Sequence, residues 1–113
     1  MPQLIGQFKS AQYGVVKVLK SFYESNGALA IVLVSFDHDV QGWTKLCALS
    51  VNMDHGQDGL QSHELPAKHF YVKNYSEQED IAKEALASGL FKETKLPPIA
   101  SGFIVAPVWR LAK

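Results

Sequence analysis

Cysteine is nearly absent from this 113-residue sequence: Cys47 is the only one. That excludes an internal disulfide and a cysteine-rich metal site, and a lone thiol fits a reducing compartment. Long hydrophobic runs are missing as well. The longest, Ala28 to Val34, is seven residues, far short of the roughly 20 needed for a membrane-spanning helix. The first ten residues mix Gln3, Gln7 and Lys9 with apolar side chains, so no secretory leader is read there and a cytoplasmic location is expected. There is no excess of either charge, with 11 basic and 11 acidic side chains, and Arg110 is the single arginine. Nucleic-acid affinity rests mainly on clustered basic groups that neutralise phosphate, so this balance places direct nucleic-acid binding low among the expectations.

What remains is a globular composition, 47% hydrophobic and 19% charged. At this length it implies one domain over residues 1–113 with a core of its own. The charges are unevenly spread. Over residues 36–80, Asp37, Asp39, Asp54, Asp58, Glu64, Glu77, Glu79 and Asp80 outnumber Lys45, Lys68 and Lys73 by five. Such a segment either faces solvent or faces a basic partner.

The pattern along the chain predicts strands over 13–23, 28–36, 43–52, 69–75 and 102–111. Ser25-Asn26-Gly27 is the hairpin signal between the first two, because Asn and Gly tolerate positive φ. Residues 28–36 are apolar on both faces. They read as a central strand covered on both sides, or as one covered by a helix and by a partner surface. Period-two counting sets Trp43, Cys47, Leu49 and Val51 on one face of the third strand. Residues 53–64 read as an exposed loop. Ser76 and Glu79 form an S-x-x-E capping box that opens the one clear helix, with Ile81, Ala82, Ala85 and Leu86 on its apolar face, a Glu79–Lys83 pair, and Gly89 as its stop. Pro107 inside the last strand removes a ladder donor and predicts an edge position or a bulge. Together these elements predict an α+β fold: a mainly antiparallel sheet of four or five strands with one helix packed on a face.

Catalytic patterns are scarce. The sequence has neither a G-x-S-x-G elbow, nor a G-x-x-x-x-G-K-[ST] phosphate loop, nor a G-x-G-x-x-G turn. The stretch from Asp54 to Leu65 lacks two essential donors of a calcium loop. Cys47 sits in an apolar strand as a small hydrophobe rather than a nucleophile. His55, His63 and His69 lack the close H-x-x-x-H spacing that preorganises zinc; a small metal-dependent enzyme built on them is the alternative reading. No cofactor and no metal are expected, and the chain reads as non-enzymatic. The expected partner-binding residues are the acidic Asp54, Asp58, Glu77, Glu79 and Asp80, with Trp109 and Arg110 beside the predicted edge. Tryptophan and arginine are frequent hot-spot residues, and an open edge accepts a strand from another chain, including a homodimer partner along 102–111.

Four blocks then carry a resemblance. Leu46 to Asn52 (LCALSVN), Leu65-Pro66, His69 to Glu77 (HFYVKNYSE) and Ser101 to Leu111 (SGFIVAPVWRL) resemble successive blocks of a small uncharacterised bacterial family carried on phages, plasmids and conjugative elements. Its members read L-T-V-N-L, a short loop with L-P, F-V-K-N/D-Y-S-E, a helix, then S-G-F and P-V. The resemblance spans residues 28–111; residues 1–27 and the 53–64 loop depart from it. It implies a mobile-element protein that binds a host protein or ribonucleoprotein and inhibits a defence complex such as a CRISPR effector. An acidic surface that imitates phosphate spacing is the expected means. A nucleic-acid-binding accessory protein is the remaining alternative.

Overall fold

The computed structural model describes residues 2–24, 27–51, 66–74, 78–101 and 104–112. In chain order the elements are β1 (Gln3–Ser10), β2 (Gly14–Phe22), β3 (Leu29–Asp37), β4 (Gly42–Ala48), β5 (Ser50–Val51), β6 (His69–Val72), α1 (Glu79–Ala87), β7 (Phe91–Glu93), β8 (Ile99–Ser101), β9 (Ile104–Ala106) and β10 (Val108–Leu111). The fold is α+β, with antiparallel sheets and one helix among the described residues. The strands form two four-stranded sheets, ordered β1-β2-β3-β4 and β5-β6-β10-β7, with β8 and β9 as a separate hairpin. That is a richer sheet content than the single four- or five-stranded sheet expected from the sequence.

The first sheet is an up-and-down meander, and its turns explain why it forms. Gly14 takes φ 73° at the β1–β2 turn, where the Ser10 hydroxyl accepts the Gln12 and Tyr13 amides, each at 3.3 Å. At the next turn Gly27 takes φ 71°; its amide donates to the Tyr23 carbonyl at 2.8 Å, and the Tyr23 amide to Ala28 at 2.8 Å. Ser25 and Asn26 of the anticipated turn lie outside the described residues. Between β3 and β4 the Asp37 carboxylate accepts the Asp39 amide at 2.8 Å, an Asx turn.

The second sheet is reached by a crossover rather than a turn. The Leu49 amide still donates to Ile31 of β3 at 2.9 Å. One residue on, the Ser50 hydroxyl accepts the Ile31 amide at 2.9 Å and shares a hydrogen bond with the Tyr23 hydroxyl at 2.9 Å. Lys73 then donates its amide to Leu49 at 2.7 Å, tying β6 to the same corner. Residues 43–52, expected as one strand, are therefore split between two sheets. A bulge adds to this: Leu33 faces Cys47 while Val34 faces Lys45, which leaves Leu46 as the extra residue. The bulge resets the period-two count, so Trp43 is 42% exposed while Leu49 is fully buried. They do not share a face.

The core lies between the sheets. Val16, Val18, Leu29, Ile31 and Leu33 come from the first sheet, Phe70, Val72, Phe91, Trp109 and Leu111 from the second, and Ile81, Ala82 and Ala85 from the helix. Gln78 stands at the helix N-cap without a side-chain capping bond, and Glu79 is the first helical residue; Ser76 of the expected capping box lies outside the described residues. The Gln78 amide instead reaches across to the Ala48 and Lys73 carbonyls at 2.9 and 3.2 Å. Gly89 ends the helix at φ 86°, as the sequence predicts. No helix among the described residues is long and apolar enough to cross a membrane.

Candidate functional site

Strand alternation gives every β1–β4 residue one of two destinations. Of the inward set, Val16, Val18, Leu29, Ile31 and Leu33 fill the core. The outward set includes the ladder rows Leu4, Leu19, Val32 and Ala48, and Gln7, Lys17, Val34 and Lys45, with the pairs Lys9–Val15 and Phe36–Trp43 making a third row beyond them; Ala30, also outward, is buried. Gln7, Lys9 and Lys45 are exposed in these rows, and Lys17, Leu19, Val32, Val34 and Ala48 are half-buried. Leu4, Val15, Phe36 and Trp43 are among the large apolar side chains left exposed. Of the two readings of residues 28–36, the described structure leaves the outer side open.

The electrostatics of this face run against the segment charge read from the sequence. Lys9, Lys17 and Lys45 occupy outward positions, and no outward position in the described rows holds a carboxylate. Lys45 belongs to the acidic segment by sequence but to the basic face by fold. The Lys17 Nζ lies 4.1 Å from the Trp43 ring centroid, a cation–π contact. Phe36 meets Trp43 edge-on at 5.6 Å and His38 at 4.9 Å. The result is a ring cluster at one end of the face, bordered by ammonium groups.

The expected partner-binding residues are placed differently. Asp54, Asp58 and Glu77 lie outside the described residues, as do His55 and His63. Glu79 and Asp80 are exposed at the start of α1, whose buried side packs on the inner side of the first sheet; Asp80 lines a surface cleft with Ala11, Gln12 and Glu84 beside the β1–β2 turn. Glu79 pairs with Lys83 at 3.5 Å, an exposed pair of small energetic weight. Trp109 and Arg110 require a correction. β10 is paired with β6 on one side and β7 on the other, so it is an interior strand and Trp109 is only 4% exposed. The physical reason is the position of Pro107. It falls between β9 and β10, takes no ladder position in β10, and its carbonyl accepts the Val72 amide at 2.9 Å. Val108–Leu111 therefore presents no free edge for a second chain. Arg110 is half-buried and donates from Nη1 to the Leu111 carbonyl at 3.1 Å.

Other titratable groups have local roles. The His69 Nδ1 contacts the Ala67 carbonyl at 2.8 Å. Cys47 is half-buried, and burial pushes its thiol up, against the pull of the Lys73 and Lys45 charges. Among the described residues no group of three His, Cys, Asp or Glu side chains is arranged to hold a metal ion. A cleft of about 390 Å³ beside β1 brings Lys20 and Lys68 near Leu90, but it adjoins Gly89 at the helix C-terminus, where the backbone carbonyls oppose an anion.

The sequence pattern assigns no contact role to Phe36 or Lys17 and sets Trp43 on an apolar face with Cys47 and Leu49. The signal that could have found them is the strand that is apolar on both faces beside a lysine-bearing neighbour, provided the bulge at Leu46 were known. Comparison of the chain with protein-family models, with curated proteins and with solved structures finds no match in any of the three.

Proposed function

We propose that this chain is a non-catalytic binding module whose contact surface is the outer face of β1–β4. The observation that carries this reading is a contiguous, three-row face in which Leu4, Val15, Phe36 and Trp43 stay exposed although the same strands bury their other side completely at Val16, Val18, Ile31 and Leu33. Open apolar area on a small monomer marks interaction sites, and a mixed aromatic and lysine composition suits a partner that is flat and anionic. The resemblance of the 46–52, 69–77 and 101–111 blocks supplies the biological setting. In that setting the module comes from a mobile element, and its target is a host defence complex such as a CRISPR effector ribonucleoprotein.

The test is co-elution of the purified chain with guide-loaded effector complexes on a sizing column. The wild-type chain is expected to co-elute and to slow target cleavage. Val34→Asp, a charge placed in the middle of the outer face, is expected to abolish both effects with an unchanged circular dichroism spectrum. Failure of the wild-type chain to join any of a panel of defence complexes, or full activity of Val34→Asp, overturns the reading.

A further inference from the structure

We infer that the outer face of β1–β4 binds an unpaired nucleic-acid strand, with bases on the Phe36–Trp43 cluster and phosphates on Lys9, Lys17 and Lys45. The inference rests on the proposed contact surface and names its ligand: the exposed RNA or DNA strand of the ribonucleoprotein rather than its protein.

Three observations favour this occupant. The first is charge. Sequence order scatters the lysines over residues 9, 17 and 45, but the register gathers them on two adjacent outward rows with no carboxylate between them. Antiparallel strands lie about 4.8 Å apart and alternate outward residues about 7 Å apart, so the three ammonium groups span a patch on the order of 14 by 7 Å. That is the scale of a few nucleotides. The second is the rings. Trp43 is 42% and Phe36 36% exposed, and they meet each other edge-on. Their ring planes therefore differ, and the Lys17 ammonium lies over one face of Trp43, where a base would stack by displacing it toward the phosphate. Base stacking on exposed sheet aromatics, with cations tracking the backbone, is the general chemistry of single-strand recognition. The third is what the alternatives leave unmatched. A second copy of this chain laid face to face would set one lysine-bearing face without carboxylates in its rows against another, so no acidic group answers the lysines. An acidic peptide answers the lysines but leaves the ring cluster without a planar partner.

A duplex fits poorly for the same reason, because its bases are already stacked on one another. Affinity from three cations and two rings is modest. With three phosphates neutralised on a single strand, log K against log salt should fall with a slope of about −2.

The experiment is fluorescence anisotropy of the full chain with labelled oligo-dT and oligo-U 12-mers, a duplex of the same length, and poly-glutamate as the acidic-polypeptide probe. At low salt the single strands are expected to bind, the duplex at least several-fold more weakly, and the salt slope to be near −2. Trp43→Ala should weaken single-strand binding about ten-fold or more, since stacking of one base is lost. Lys17→Glu with Lys45→Glu should remove it, and a thermal melt of each variant identifies any that has lost its fold. Lys9→Glu, on the open outer side of β1, is the second charge variant if the double variant melts early. Three results overturn the inference: no anisotropy change with either oligonucleotide, equal binding of duplex and single strand, or poly-glutamate binding at the oligonucleotide's affinity. If the oligonucleotides fail while Val34→Asp still blocks co-elution with an effector complex, the contact surface stands and only its ligand is wrong. If co-elution fails as well, the surface itself is wrong.

Discussion

Along β3, Leu29, Ile31 and Leu33 point inward and are exposed by 9% or less, while Val32, Val34 and Phe36, each one position away from an inward residue, stay partly open. The neighbouring strand repeats the contrast, with Val16 and Val18 inside and Val15, Lys17 and Leu19 outside. Both faces are apolar, so hydrophobicity alone does not separate the face that folds the protein from the face that is free to meet something else. The company of the residues separates them. Inward positions meet Phe70, Trp109 and the small side of α1, whereas outward positions are interleaved with Lys9, Lys17 and Lys45. A strand buried on one side alone still needs apolar residues outside if a flat ligand is to displace water there.

The largest expected effect breaks this comparison directly. Leu33 is fully buried, and Leu33→Ala should cost about 2–5 kcal/mol, the lost transfer energy plus a cavity. Val34→Ala, the next residue on the other face, should cost under about 1 kcal/mol because water already reaches it. Urea denaturation of the two variants measures both losses, with unchanged slopes confirming that the same surface unfolds. Equal losses would mean that the outer face is covered in solution and is no contact surface.

A smaller effect is expected at the seam where the chain leaves one sheet for the other. Ser50 is buried, and its hydroxyl serves both the Ile31 amide and the Tyr23 hydroxyl. Ser50→Ala orphans a buried backbone donor and should cost about 1–3 kcal/mol, whereas Tyr23→Phe removes one partner of a half-buried pair and should cost about 0.5–1.5 kcal/mol. Similar losses in the two variants would show that the Ile31 amide finds another acceptor and that the crossover is not held by Ser50.

The same seam marks where the sequence stops being readable. The meander from β2 to β3, the helix and its Gly89 stop follow from local rules: alternation, a positive-φ turn residue, apolar spacing of three and four. β1 does not, because Gln3, Gln7 and Lys9 break its apolar pattern, and it becomes a strand only by pairing with β2. Whether Trp43 and Leu49 share a face depends on one extra residue at Leu46, and nothing in LCALSVN announces a bulge. Pro107 signals a missing ladder donor, but a proline between two strands leaves the same trace as one inside an edge strand or on a bulge. The candidate face was harder still. Its lysines are separated by up to 36 positions in sequence, and only the register brings them together, so a net charge of zero conceals a local positive patch.

The smallest effect concerns Cys47, which sits opposite Leu33 beside the bulge where inward and outward parity change hands. Burial raises its thiol above the ordinary value of 9.0, with the Lys73 and Lys45 charges opposing but not reversing the shift. An acid whose folded pKa is raised leaves stability intact below its unfolded pKa. As pH climbs past about 9 the unfolded chain loses this proton first, and stability falls until the folded thiol also ionises. Tyr71, likewise raised by burial, adds to the same alkaline loss from about pH 10. The melting temperature should therefore drop between pH 8 and pH 10.5 in the wild-type chain and drop less in Cys47→Ala, with Tyr71 supplying the remainder. Iodoacetamide should alkylate the native thiol more slowly than the urea-unfolded one at pH 8, because the thiolate fraction is lower and access is half closed. Equal alkylation rates would place Cys47 on the open side of the bulge, with Lys45, and move the boundary between the two faces by one residue.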